Sequence, residues 1–105
     1  MNMGLVIRTE INEETEQQVM EDITPKGQFY ELEELYEICK CTYVTTLPVM
    51  VDGFEKLMVM DEEGDLRGKP QNHAATRILW DGNVKHKGWT FLVGDVAIID
   101  PKELD

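Results

Sequence analysis

The chain has 105 residues, with 10 Lys+Arg against 21 Asp+Glu and a formal net charge of -11, which describes one small acidic domain. Apolar residues make up 42%, and Trp80, Trp89, Phe29, Phe54 and Phe91 supply bulk for a core, so full disorder is excluded. No apolar run approaches the roughly 20 residues of a membrane-spanning helix, and the acidic balance repels phosphates and anionic lipid at long range.

Leu5, Val6 and Ile7 followed by Thr9 predict a first strand over residues 3–9. Glu10 to Gln18 is polar throughout and reads as a turn or exposed connection. Val19, Met20 and Ile23 suit a second strand in preference to a short helix, because Ile23-Thr24-Pro25 is an extended pre-proline sequence. From Tyr30 to Cys39, Leu32, Leu35, Tyr36, Ile38 and Cys39 share one helical face, with Glu31, Glu33, Glu34 and Glu37 turned away. This helix is expected to pack on the sheet through Leu32, Leu35, Tyr36 and Cys39. Thr42 to Val51 is rich in β-branched residues, Asp52-Gly53 is a hairpin signal, and Phe54 to Met60 is the return strand. Asp61-Glu62-Glu63-Gly64 makes a further turn. After Pro70, Asn72 stands as a cap before the helix formers up to Trp80, and Asp81-Gly82-Asn83 stops them. Trp89 to Ile99 reads as a last buried strand, broken or bulged near Gly94-Asp95.

The order β-β-α-β-β-α-β predicts an α+β fold, a mainly antiparallel sheet covered by two helices on one face. No repeat or linker divides the chain. The amino terminus has no basic region or apolar stretch of signal-peptide kind, so a cytoplasmic location is expected.

Gly27-Gln28-Phe29-Tyr30-Glu31-Leu32-Glu33-Glu34-Leu35, Met60-Asp61-Glu62-Glu63-Gly64, Pro70-Gln71-Asn72-His73-Ala74-Ala75-Thr76 and Val93-Gly94-Asp95-Val96 occur in that order. The run from Ile23 to Ile99 that holds them resembles the bacterial and phage family called domain of unknown function 3846. The family commonly carries Gly-Gly where this chain has Lys40-Cys41, and Leu where it has Lys69. The resemblance implies a small cytoplasmic or mobile-element protein and brings no assigned activity.

No set of residues spells out catalysis. Cys39, Cys41, His73 and His86 are the right types for zinc, but Cys39 and Cys41 are one residue apart and Cys39 belongs to the apolar helix face, so no metal is assigned. A disulfide between them is equally unsuited to a cytosolic chain. The chain contains no Ser, and nothing in the spacing sets His73 or His86 beside a Cys or Thr nucleophile. Asp61, Glu62, Glu63 and Asp65 begin like a calcium loop, yet the terminal position that needs a bidentate Glu holds Asn72. No cofactor is called for.

Charge is unevenly spread. Residues 1–66 sum to -12, residues 67–87 to +4 and residues 88–105 to -3. The basic island holds Arg67, Lys69, Arg77, Lys85 and Lys87 with His73 and His86. Its plainest reading is a solvated, charge-balancing surface. The sharper one is an anion pocket at the helix start, formed by Lys69, Asn72, His73 and Arg77 around free backbone N–H groups. The acidic helix offers a second candidate surface at Glu31, Glu34 and Glu37.

Three functions follow. The first is a non-enzymatic protein-binding or regulatory module. The second is an acidic DNA mimic acting on a DNA-binding protein, against which the basic island argues, since a mimic needs a continuous negative stripe. The third is an anion- or nucleotide-binding protein using the helix start at Asn72, without any Gly-rich phosphate loop of recognised spacing. The expected partner is another protein, with no direct nucleic-acid binding and no membrane.

Overall fold

The computed structural model describes residues 4–104. Five strands, β1 (Gly4–Asn12), β2 (Gln17–Ile23), β3 (Val44–Val51), β4 (Phe54–Asp61) and β5 (Val96–Ile99), form one antiparallel sheet in the order β2-β1-β5-β4-β3. The helices are α1 (Leu32–Cys39) and α2 (His73–Gly82), with short 3-10 helices at Val84–His86 and Pro101–Glu103. The fold is therefore α+β in the expected element order. Both hairpins have a local cause. Asp52 and Gly53 both take positive φ, 52° and 84°, as a two-residue β-turn requires. In the other, Asn12 Oδ1 accepts the N–H groups of Glu14 and Thr15. That turn occupies only residues 13–16, so β1 and β2 run beyond the expected 3–9 and the connection at 10–18 is largely strand.

The two helices lie on opposite faces of the sheet, not on one. Side chains alternate along each strand. Ile7, Val49, Met58, Met60, Val96 and Ile98 pack with Ala75 and Leu79 of α2, whereas Val59, Ala97 and Ile99 pack with Leu35 and Cys39 of α1. The cause is visible in β5. Val96-Ala97-Ile98-Ile99 is the central strand and is buried at every position, which is the pattern of a strand covered on both sides.

Two further expectations are corrected. The strand predicted over Trp89–Ile99 is confined to Val96–Ile99, because the backbone before it is bonded to other partners. Thr90 O accepts from Trp80 Nε1 (2.7 Å), Leu92 N donates to Thr76 Oγ1 (2.9 Å), and Gly94 N donates to Pro70 O (2.8 Å). Trp89 is left 85% exposed. On α1, Leu35 and Cys39 are fully buried, but Leu32 is 50% exposed and Glu34 is buried in its stead. The Glu34 carboxylate folds back to accept the N–H of Lys26 (3.1 Å) and of Glu31 (3.4 Å), closing the first turn of the helix. Lys40 ends α1 in the left-handed conformation, φ 53°, that glycine more often supplies.

Candidate functional site

The start of α2 is the place where the sequence sets bases near free helix amides, and the structure fills those amides from within. Asn72 is fully buried. Its Oδ1 accepts from Ala75 N (3.1 Å) and from Gln18 Nε2 (2.8 Å), while its Nδ2 donates to Ile7 O and Gly94 O, both at 2.9 Å. Gln18 reaches across from β2, and its Oε1 accepts from Ala74 N (2.9 Å). Asn72 thus ties β1, β2, α2 and the entry to β5 together, and its amide has no bonding capacity left for a ligand. The role of Gln18 has no local sequence signal, since it lies 54 residues from the cap it shares.

The four residues of the anion proposal are not gathered around that start. Lys69 Nζ lies 2.8 Å from Asp61 Oδ2 and 3.0 Å from Lys40 O, which binds it to the β4 exit and the end of α1. His73 and Arg77 are exposed on the solvent side of α2. Arg67 is also drawn to the β4 exit, 3.9 Å from Asp61 and 3.8 Å from Glu63. The basic island accordingly divides into two. Arg67 and Lys69 are engaged by acids, whereas Arg77, Lys85 and Lys87 are exposed and form no ion pair among the described residues.

The Asp61 side chain is almost fully buried at the centre of the first group. Burial alone would raise its carboxyl. The Lys69 ammonium, the Glu63 amide and Arg67 overcome that and hold it below the ordinary carboxylate value. A group whose folded pKa is depressed contributes stability above its unfolded pKa, and that contribution is lost as pH falls through the folded value. Asp61→Asn should be less stable than the parent at neutral pH, and the difference should shrink as pH falls below about 4, where the carboxylate of the unfolded chain takes up a proton before the folded one does. Urea unfolding of both proteins across pH 2–7 measures it.

The cysteines offer little chemistry. Cys39 is fully buried, with Sγ 3.5 Å from Val59 O, and burial followed by the neighbouring Cys41 pushes its thiol up to about 12. Burial and then Asp61 also raise the half-buried Cys41. At pH 8 an alkylating reagent should label Cys41 slowly and leave Cys39 intact until denaturant is added, because the thiolate is the reacting form. Mass spectrometry of the labelled native protein reads this directly. Among the described residues no group of three or more His, Cys, Asp and Glu side chains could hold a metal ion.

The acidic helix has a different setting. Glu31, Glu33 and Glu37 are exposed on α1, and with Lys26 and Phe29 they line an open cleft of about 420 Å³ at the start of the helix. Glu34, expected on that surface, is spent on the helix start. Lys26 approaches Glu37 only to 4.0 Å, with both side chains mostly in water, so it neutralises little. The β1–β2 ribbon adds exposed Glu10, Glu13, Glu14, Glu16, Glu21 and Asp22. Residues 10–37 hold ten acids against the single base Lys26. Because α1 and α2 lie on opposite faces, the acids of α1 and Glu21, whose strand partner Val6 pairs with Ala97 on the α1 face, are separated by the sheet from Arg77, Lys85 and Lys87, whereas Asp22, paired with Leu5, faces the α2 side.

Comparison with family models, curated proteins and solved structures finds no match to this chain. The arrangement of charge is what the molecule itself offers. No helix among the described residues is long and apolar enough to cross a membrane.

Proposed function

We propose that the protein is a non-enzymatic binding module of the bacterial cytoplasm or a mobile element, which docks a basic protein surface against its acidic side. The resemblance to domain of unknown function 3846, carried by the runs from Gly27 to Leu35 and from Pro70 to Thr76, belongs to the same reading. So do the two free cysteines, which suit a reducing compartment. The observation that carries the proposal is the separation of charge by the sheet. Glu31, Glu33 and Glu37 of α1 share one side of the sheet with Glu21 of β2, where Arg8 is engaged by Glu21 and Asp95, and the bases Arg77, Lys85 and Lys87, which form no ion pair among the described residues, lie across the sheet. Such a field steers a basic partner to one side and orients it on arrival. The cleft beside Phe29 and Glu31 suits a protruding Lys or Arg, whose charge the carboxylates neutralise and whose head the ring face accepts.

The test is capture of partners from host lysate by the wild type, by a Glu31→Lys, Glu33→Lys, Glu37→Lys variant, and by an Arg77→Glu, Lys85→Glu, Lys87→Glu variant. A specific partner should be retained by the wild type and the basic-side variant and lost from the acidic-side variant. Its retention by the acidic-side variant contradicts the proposal. A second reading, mimicry of DNA, gains from the same separation, since Arg77 on α2 and Lys85 and Lys87 beyond it do not interrupt the acids of α1. It differs in its outcome: the captured partner would be a DNA-binding protein, displaced by duplex DNA.

A further inference from the structure

The two edges of the sheet are treated differently. On β3, Pro48 removes a backbone donor, Asn83 Nδ2 donates to Pro48 O at 3.0 Å, and the exit of α2 presses on the strand. A Cβ at Gly82 would lie 2.2 Å from Met50 O, so the chain there rests directly on the β3 backbone. At the opposite edge β2 has none of these covers among the described residues.

The ladder alternation fixes which groups of β2 are free. Ile7 O turns toward the β5 side, where it accepts from Asn72 Nδ2, the same group that donates to Gly94 O at the entry to β5, both at 2.9 Å. Leu5 shares the orientation of Ile7, so their partners Asp22 and Met20 direct their N–H and C=O groups away from β1. Apolar footing lies beside that row. Met20 is 50% exposed, and Val19 and Ile23 are half-buried. The charges around it are mostly negative, from Glu10, Glu13, Glu14, Glu16, Glu21 and Asp22, and the one base beside them, Arg8, is engaged by Glu21 at 3.2 Å and Asp95 at 2.8 Å.

We propose that β2 receives an extended basic segment of the partner protein as a sixth strand, paired through the outward peptide groups of Met20 and Asp22. The proposal rests on the protein-binding reading and names the mode of contact. In strand addition the main chain supplies affinity and alternate side chains supply specificity. Here the alternation called for is an apolar residue on the face of Met20, whose partner Ile7 packs toward α2, and Lys or Arg on the opposite face beside Glu21. Charge selects this occupant over a second copy of the chain, whose own β2 would bring Glu21 and Asp22 against their like at a net charge of -11 per molecule.

The probe is an acetylated peptide of alternating Lys and Val, titrated into the full chain while backbone amides are followed by NMR. The control is a peptide of alternating Lys and Pro, equal in charge and unable to pair as a strand. The Lys-Val peptide should perturb residues 17–23 most, and the Lys-Pro peptide should leave them in place. Met20→Pro, which removes one outward N–H, should weaken the Lys-Val peptide roughly tenfold in a protein whose remaining amide spectrum is unchanged. If that variant does not fold, the comparison of the two peptides on the wild type still decides. Equal response to both peptides, response centred on α1, or none at all overturns strand addition. Lysate capture through the acidic side would then stand or fall separately. Shifts of residues 17–23 that grow with protein concentration in the absence of peptide would also overturn it, by naming a second copy as the occupant.

Discussion

Replacing Asn72 by Ala should destabilise the protein by about 3–5 kcal/mol, the sum of a lost helix cap and of buried carbonyl and amide groups left without partners. Four bonds disappear together: those to Ala75 N, Gln18 Nε2, Ile7 O and Gly94 O. Asn72→Asp makes the test sharper. At an ordinary N-cap Asp is as good as Asn. Here it sets a carboxylate oxygen against the Ile7 and Gly94 carbonyls in a site with no exposure, so it should be at least as damaging as Ala. Equilibrium urea unfolding measures both. An Asn72→Asp variant as stable as the parent would reduce Asn72 to a simple cap.

Truncating Leu35 to Ala should cost about 2–5 kcal/mol as a core cavity between α1 and the sheet. Leu35 is fully buried against Val59, Ala97 and Ile99, and a face shared with Cys39 leaves few side chains free to close the gap. Leu32→Ala, on the same helix and chemically identical, should cost no more than about 0.5 kcal/mol because its side chain is already half in water. The difference between the two, read from paired urea curves, isolates burial from helix propensity. Equal costs would mean that α1 does not dock through Leu35 and Cys39.

These residues also mark how far the sequence could be read. The Asp52-Gly53 turn, the Asn72 cap, and Leu35 with Cys39 on one helical face are local signals, each set by neighbours within a few positions, and the structure has all of them. Leu32 and Glu34 exchange their expected places because a helix start needs an acceptor for its free N–H groups, and that need outweighs apolar spacing at the first turn. The opposite placement of the helices did have a signal in the unbroken Val96-Ala97-Ile98-Ile99 run. It was masked by Trp89 and Phe91, whose apolar character extends the apparent strand backward into a segment bonded to α2.

The candidate surfaces were legible in composition and not in arrangement. That residues 10–37 are acidic is plain from the sequence, as is the basic island. Only the fold separates Arg77, Lys85 and Lys87 from the acids, and only the fold consigns Lys69 to Asp61 and Asn72 to the core. The filled amides at Ala74 and Ala75 depend on Gln18, a residue of β2 that nothing nearby in sequence connects with α2.

The separation of charge can be measured without a partner. Cationic and anionic nitroxides of equal size, added in turn to the labelled protein, broaden each backbone amide according to the local potential. The cationic probe should broaden residues 10–22 and 31–38 most strongly, and the ratio should reverse at residues 77 and 84–88. A ratio uniform over α1 and α2 would contradict the account, because the acidic side would then have no counterpart across the sheet and no means of orienting a basic partner.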